Sequence, residues 1–215
     1  MTCNVTIIES TRSDFPAALR TGTLIPSVPR LWAMGNLGIL QTPLLGLFCS
    51  TRCPGNVILR TYDLALALRD AGVAVISGFH TPMEKECLDV FLRGSQPLVV
   101  CPARSLQNLR LPAAWRPPLE AGRLLVLSPI GAPQRRPTAA LAEQRNRFVA
   151  TLAPDILLVY ATPGGKTARL SAELMAQGKR LFTLDLDDNA HLMAAGVTGM
   201  HVTDLGAHFA APQAQ

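Results

Sequence analysis

The sequence predicts an α/β fold, a doubly wound, mostly parallel sheet in a three-layer sandwich, with a short N-terminal extension. Two observations carry the expectation, and a third bounds it. From residue 44 onward, short apolar runs alternate with helical patterns. The runs are continuously hydrophobic instead of alternating, as strands covered on both faces require. The chain has 215 residues, enough for one α/β domain plus an appendage and too few for two full domains.

The strand candidates, in order, are LLGLFCS (44–50), VAVIS (73–77), PLVVC (97–101), RLLVLS (123–128), DILLVYA (155–161) and RLFTLD (180–185). Helical segments fall between them: NVILRTYDLALALRDAG, PMEKECLDVFLRG, TAALAEQRNRFVATLA and TARLSAELMAQGK. In the first, Ile58, Tyr62, Leu66 and Leu68 recur near helical spacing, and Gly72 follows as a stop. Strand, crossover helix and strand in this rhythm mean parallel pairing.

Residues 1–43 differ. They hold Pro16, Pro26, Pro29 and Pro43, with one helical piece expected around PRLWAMGNLGIL, and read as a lead-in packed on the core. The core domain is placed at 44–205, and the Ala/Gln-rich tail at 206–215 is expected to fray. Two basic connections, 102–120 and 129–138, interrupt the rhythm.

Composition sets the function classes. At 48% hydrophobic and 16% charged residues the chain is an ordinary globular protein, which excludes global disorder. The net charge of +5 is a mild electrostatic footprint for a polyanion, or a solvated basic surface. Five cysteines (Cys3, Cys49, Cys53, Cys87, Cys101) are odd in number and form no C-x-x-C pair. Cys49 and Cys101 read as small core residues, unbridged, in a reduced cytoplasm. No metal site is expected. The first residues lack the pattern of a signal peptide, and no run of 18 apolar residues exists to span a membrane.

In an open parallel sheet, the ligand lies beyond the carboxyl ends of the strands, where strand order reverses. The loops that follow the runs therefore hold the candidates: Ser50 and Arg52, then Ser77 and Gly78, then Arg104, then Gly164, Gly165, Lys166 and Thr167. Small, hydroxyl and basic residues at helix starts are what a phosphate needs. The PGGKT turn is the sharpest feature, with Thr167 expected to cap the next helix. It is not a Walker A loop, which would require glycine where Tyr160 stands. Arg145, Asn146 and Arg147 sit on a helix, the two arginines pointing to different faces. His80, Glu84 and Glu86 form only a sparse acid/base group, and no catalytic set is assigned.

These strings resemble a known family. PRLWAMGNLGIL is similar to the P-x-L-Y/F-x-x-G-N/D stretch that precedes the core of the DNA-processing protein A family (DprA, also called Smf). LLGLFCSTRCPG resembles its A-I-V-G-S-R loop, GVAVISGFH its G-x-x-V-V/I-S-G-x-A, and RNRFVATLAPDILLVYA its R-N-R-I-I-A/S-G-L-S-x-x-x-L/V-V-V-E-A. Order and spacing agree over roughly residues 28–185. The resemblance implies a Rossmann-like fold shared with LOG-type nucleotide phosphoribohydrolases. It also implies single-stranded DNA binding, delivery to the RecA recombinase and a place in natural transformation. Ser50 and Arg52 match the G-S-R loop, Ser77 and Gly78 the S-G turn, and Arg145, Asn146 and Arg147 the R-N-R helix.

There are departures. Cys49 replaces the glycine before Ser-Arg, and Thr51 is inserted between Ser50 and Arg52. HTPMEKECLDVF replaces G-I-D-x-x-A-H, Tyr160 stands for the glutamate and PGGKT stands for S-G-S, and no winged-helix module is expected to follow. They predict a divergent stand-alone branch and weigh against the recombinase-loading role.

Two readings stand. In the first, single-stranded nucleic acid, DNA foremost, lies along a basic edge, with phosphates on Arg52, Arg104, Arg145 and Lys166 and a base on Trp32 or Phe79. In the second, a small nucleotide occupies the PGGKT cradle, sensed or hydrolysed, with Glu84 or Glu173 near its sugar. Binding is favoured over catalysis, no cofactor is assigned, and the oligomeric state is left open, a homodimer included.

Overall fold

The computed structural model describes residues 5–22 and 24–210, so Cys3 lies outside the described residues. The six apolar runs form β3 (Leu45–Cys49), β4 (Val75–Ser77), β5 (Leu98–Val100), β6 (Leu124–Ser128), β7 (Asp155–Tyr160) and β8 (Arg180–Leu184). All six lie in one sheet with parallel pairing throughout. A further strand, β9 (Thr198–Met200), adds parallel to β8. The lead-in supplies β1 (Thr6–Glu9) and β2 (Arg30–Gly35), which pair antiparallel with each other, and β2 pairs antiparallel with β6. The helical piece expected around Trp32 is thus a strand, because Leu31, Ala33 and Met34 bury themselves by extending the sheet edge. Only Leu37–Gln41, just after it, turns helically, as a short 3-10 segment.

Strand order is β1-β2-β6-β5-β4-β3-β7-β8-β9. The chain therefore walks outward from β3 to β6, then returns to the other side of β3 with β7. The reversal lies between β3 and β7, and it positions the site described below.

Both faces of the sheet are covered. On β3 and β7 the side chains alternate: Leu45, Leu47, Cys49, Leu157 and Val159 join one apolar cluster, and Phe48, Ile156 and Leu158 the other. The first cluster is closed by α1 (Gly55–Asp70), α2 (Pro82–Leu92) and α7 (Val202–Ala210). The second is closed by α4 (Ala139–Leu152), α5 (Lys166–Ala176), α6 (Ala190–Ala194) and the lead-in residues Phe15, Leu19 and Ile25. The short α3 (Arg116–Glu120) lies within the first basic connection. Gly46 leaves no room for a side chain, since a Cβ there would meet Ile156 at 2.7 Å. Among the described residues, no helix is long and apolar enough to cross a membrane.

The structure resolves the inward side of α1 and changes the expectation for the tail. The buried stripe of α1 is Val57, Thr61, Leu64, Ala65 and Leu68, while Tyr62 and Leu66 face outward. Of the residues whose spacing marked the helix, Leu68 is buried and Ile58 half-buried. The tail, set apart from residue 206, is helical through Ala210 and seated on α1; residues 211–215 lie outside the described residues. Leu205 is fully buried, and Gly206 lets the backbones close, since a Cβ there would stand 3.0 Å from the Ala67 carbonyl. Leu205→Ala is expected to cost about 2–5 kcal/mol, read as a lower urea midpoint with unchanged slope. An unaltered midpoint would place α7 outside the cooperative core.

Candidate functional site

The carboxyl ends of β3 and β7 part around a cavity of about 370 Å³. Its walls are the Ser50–Arg52 loop, the His80–Glu84 turn, the α4 side chains Ala142, Arg145 and Asn146, and Thr162 with Gly165–Thr167. The two strand-end loops are joined directly. The Thr162 N–H donates to Ser50 Oγ at 2.9 Å, and the Ser50 N–H to the Tyr160 carbonyl at 2.9 Å. The Ser50 loop and the PGGKT turn therefore share one cavity.

Local chemistry explains the turn. Gly164 has φ +68°, a region costly for other residues, and a Cβ on Gly165 would lie 2.8 Å from the Thr162 carbonyl oxygen. Gly165, not Thr167, is the N-cap residue of α5, and no side chain caps that end. An uncapped helix start presents its first N–H groups and the positive end of its dipole to an anion. The amino end of α2 contrasts: Thr81 and Glu84 form a capping box that satisfies it internally.

Glu84 does more than cap. It is 4% exposed, and its Oε1 accepts from the Cys49 N–H at 3.0 Å while Oε2 accepts from His80 N–H at 2.8 Å and Thr81 N–H at 3.3 Å. The Cys49 N–H is available because the β3–β7 register shifts between Phe48 and Cys49. Both carboxylate oxygens are thus committed to the scaffold, which argues against Glu84 as an acid or base on a sugar. Sequence reasoning missed this role, although Thr81-Pro82-x-Glu84 is a legible capping signal.

Arg145 is buried at 4% exposure, on the inward face of α4. Its Nη1 donates to the Cys101 carbonyl at 3.0 Å and its Nε to Asn146 Oδ1 at 2.8 Å. Burial pulls its pKa down, and the nearby Glu84 charge opposes that pull. The guanidinium lies against Gly78, where a Cβ would fall 1.5 Å from Nη1. Gly78 is therefore a place for the arginine and not for a ligand.

The other predicted residues sort by position. Ser77 is fully buried, donating to the Leu47 carbonyl at 2.7 Å and accepting from the Phe79 N–H, so its hydroxyl braces the strands. Arg52 is exposed at the cavity mouth and has no hydrogen-bond or ion-pair partner among the described residues. Lys166 also lines the cavity, paired with Glu143 at 2.8 Å. Arg147 faces elsewhere, gripping Glu173 in the adjoining groove. Arg104 does not line the cavity; its carbonyl accepts from Ser128 Oγ. Neither proposed stacking ring is at the site. Phe79 is buried edge-on against Phe91 despite a strained φ of +45°, and Trp32 packs over Gly131 beside β6.

Two outcomes test this geometry. Gly78→Ala is expected to destabilise the fold by about 1–3 kcal/mol or more through overpacking. In an Arg145→Ala background the penalty should shrink; additive effects would refute the contact. The second concerns thiols. Cys53 is half-exposed, and the Cys49 thiol holds its pKa below the ordinary value, whereas burial pushes Cys87 and Cys101 up to about 12. Cys53 should therefore alkylate first at neutral pH, before the other three described cysteines, as peptide mapping would show.

A family model for DNA recombination-mediator protein A matches residues 6–203. No curated protein matches the chain in sequence. Among solved structures, DNA processing protein A (DprA) from Streptococcus pneumoniae superposes with a TM-score of 0.77 at 18% identity, over 96% of this chain and 75% of that one. DprA from Helicobacter pylori, described for its single-stranded DNA binding mode, gives 0.75 at 18% identity over 96% of each chain. The molybdenum cofactor carrier protein of Chlamydomonas reinhardtii is more distant, at 0.52 and 13% identity over 78% of this chain and 94% of that one. The superpositions show the fold alone, but the family match spans the sheet, both flanking layers and every loop of the cavity. The chain belongs to the DNA recombination-mediator protein A family.

Proposed function

We propose that this chain binds single-stranded DNA along the carboxyl edge of its sheet, as a DNA-processing protein of the cytoplasm without catalysis of its own. The carrying observation is the cavity at the strand reversal, where an unpaired Arg52 and the uncapped start of α5 converge. The basic connections support a polymer over a mononucleotide. They leave β5 and β6 at the same edge, are tied together by the Ser105 N–H donating to the Gln134 carbonyl, and expose Arg110, Arg135 and Arg136. The Helicobacter pylori relative, which shares the fold, is described as binding single-stranded DNA.

In this reading, phosphate oxygens meet Arg52, the N–H groups of Lys166 and Thr167, and the Lys166 ammonium, which exchanges Glu143 for the strand. Ser50 and Gly165 hold the loops that present them. Arg145 and Asn146 stand behind as a fixed positive floor. Contacts are mainly to phosphate, so sequence preference from this cavity is weak.

The test is fluorescence anisotropy with labelled oligodeoxynucleotides across a salt series. Log affinity should fall with log salt by about 0.7 per neutralised phosphate. Arg52→Ala and Lys166→Ala should each weaken all sequences alike and flatten the slope by about 0.7, one phosphate's worth. Duplex DNA should bind less well, since a loop-lined edge offers no helix for the major groove. Absent binding at low salt, or affinity indifferent to both substitutions, would overturn the reading in favour of a small nucleotide, detectable by thermal shift.

A further inference from the structure

Beside the switch cavity lies a second one, a groove of about 340 Å³ between α4 and α5. The two share Ala142, Asn146 and Lys166, so they form one continuous depression. Their chemistry differs. The groove has an apolar floor of Ala139, Ala142 and Leu170, and its charges are largely matched: Glu143 pairs with Lys166 and Glu173 with Arg147, while Arg169 at the rim donates to the Gly164 carbonyl. Lys166 holds the Glu143 carboxyl below its usual range, so that group is charged at neutral pH. An apolar floor bordered by paired charges suits a nucleobase, whose faces are apolar and whose edge is polar.

Glu173 is built for such an edge. The Arg147 Nε reaches both of its oxygens, at 2.9 and 3.1 Å, and Nη2 adds a third bond at 2.9 Å. The pair is about one-third exposed on each side chain, 36% and 31%. A carboxylate gripped from one side keeps lone pairs on the other. Those lone pairs accept N–H groups and repel carbonyl oxygens. Cytosine offers an amino group, which carboxylates accept from in base recognition. Thymine offers one N–H set between two carbonyls.

We propose that the α4–α5 groove is a nucleobase subsite, in which the Arg147–Glu173 pair selects amino-bearing bases over thymine. It takes the base adjoining the phosphate at Lys166, and so rests on the single-strand reading given above.

The experiment compares labelled oligo-dC and oligo-dT hexamers at low salt by anisotropy, with the wild-type chain, Glu173→Gln, Ala139→Leu and Arg52→Ala. The wild-type chain should bind oligo-dC about fivefold more tightly, the modest end of carboxylate–base discrimination. Glu173→Gln should bring the two affinities together, because the amide presents a donor where the carboxylate presents only acceptors. Ala139→Leu, at the exposed start of α4, fills the floor and should do the same should the glutamine variant fail to fold. Equal wild-type affinities, or a preference that survives both groove variants, would overturn the subsite while Arg52→Ala still weakened both hexamers. If Arg52→Ala leaves both hexamers bound as in the wild type, the strand reading fails and the subsite falls with it.

Discussion

The carboxyl edge of this sheet depends on two buried charges whose hydrogen bonds go to the protein itself. Arg145 and Glu84 between them hold the ends of β3, β4 and β5 and the amino end of α2, through the Cys101 carbonyl and the N–H groups of Cys49, His80 and Thr81. A buried charge is expensive unless hydrogen-bonded, and here the bonds go to backbone groups that the strand ends would otherwise leave orphaned. Each ion thereby answers two problems at once, its own desolvation and the unfinished ladder. Removing either would leave the other in a poorer field, because the Glu84 charge offsets the burial of Arg145.

Topology then decides what is left open. Of the helix starts around the cavity, that of α2 is closed by Thr81 and Glu84, while that of α5 has no cap. The β3–β7 reversal brings the uncapped one beside Arg52, with Thr162 and Ser50 keeping the two loops in register. Positive potential collects where the backbone also offers N–H groups, and the neighbouring groove between α4 and α5 carries the opposing carboxylates. One depression thus contains an electropositive half and an apolar half whose carboxylates are each matched by a cation.

Much of this was legible in the sequence. Leu44–Ser50, Asp155–Ala161 and the four other apolar runs announced buried parallel strands, because residues covered on both faces need no alternation. The loops that matter followed from that, since the edge rule needs only the strand ends. The lead-in was harder. Leu31, Ala33 and Met34 form an added antiparallel strand, and nothing local in PRLWAMG distinguishes that from a helical turn. The site was half legible. Arg52 and the two glycines could be placed by their loops. Arg145 could not, because its burial depends on the volume that Gly78, 67 positions earlier, leaves empty. A cation's choice between water and core is settled by such distant vacancies, and no periodicity reports them. Tyr62 and Leu66 marked the helix but not its inward side, because α1 is apolar on more than one side and its neighbours decide which side is covered.

The guanidinium packed against Gly78 has a kinetic consequence. A glycine in such a turn is ordinarily a hinge, free to swing into conformations closed to other residues. Here the side-chain direction of Gly78 is occupied by the Arg145 guanidinium, itself tied to the Cys101 carbonyl, so this part of the cavity floor is braced before anything arrives. On the proposed reading, a flexible strand that docks here gives up its own freedom, while Arg145 and the turn it packs against were ordered during folding. On that reading, docking asks no rearrangement of this part of the floor and leaves charge to guide the strand to the edge.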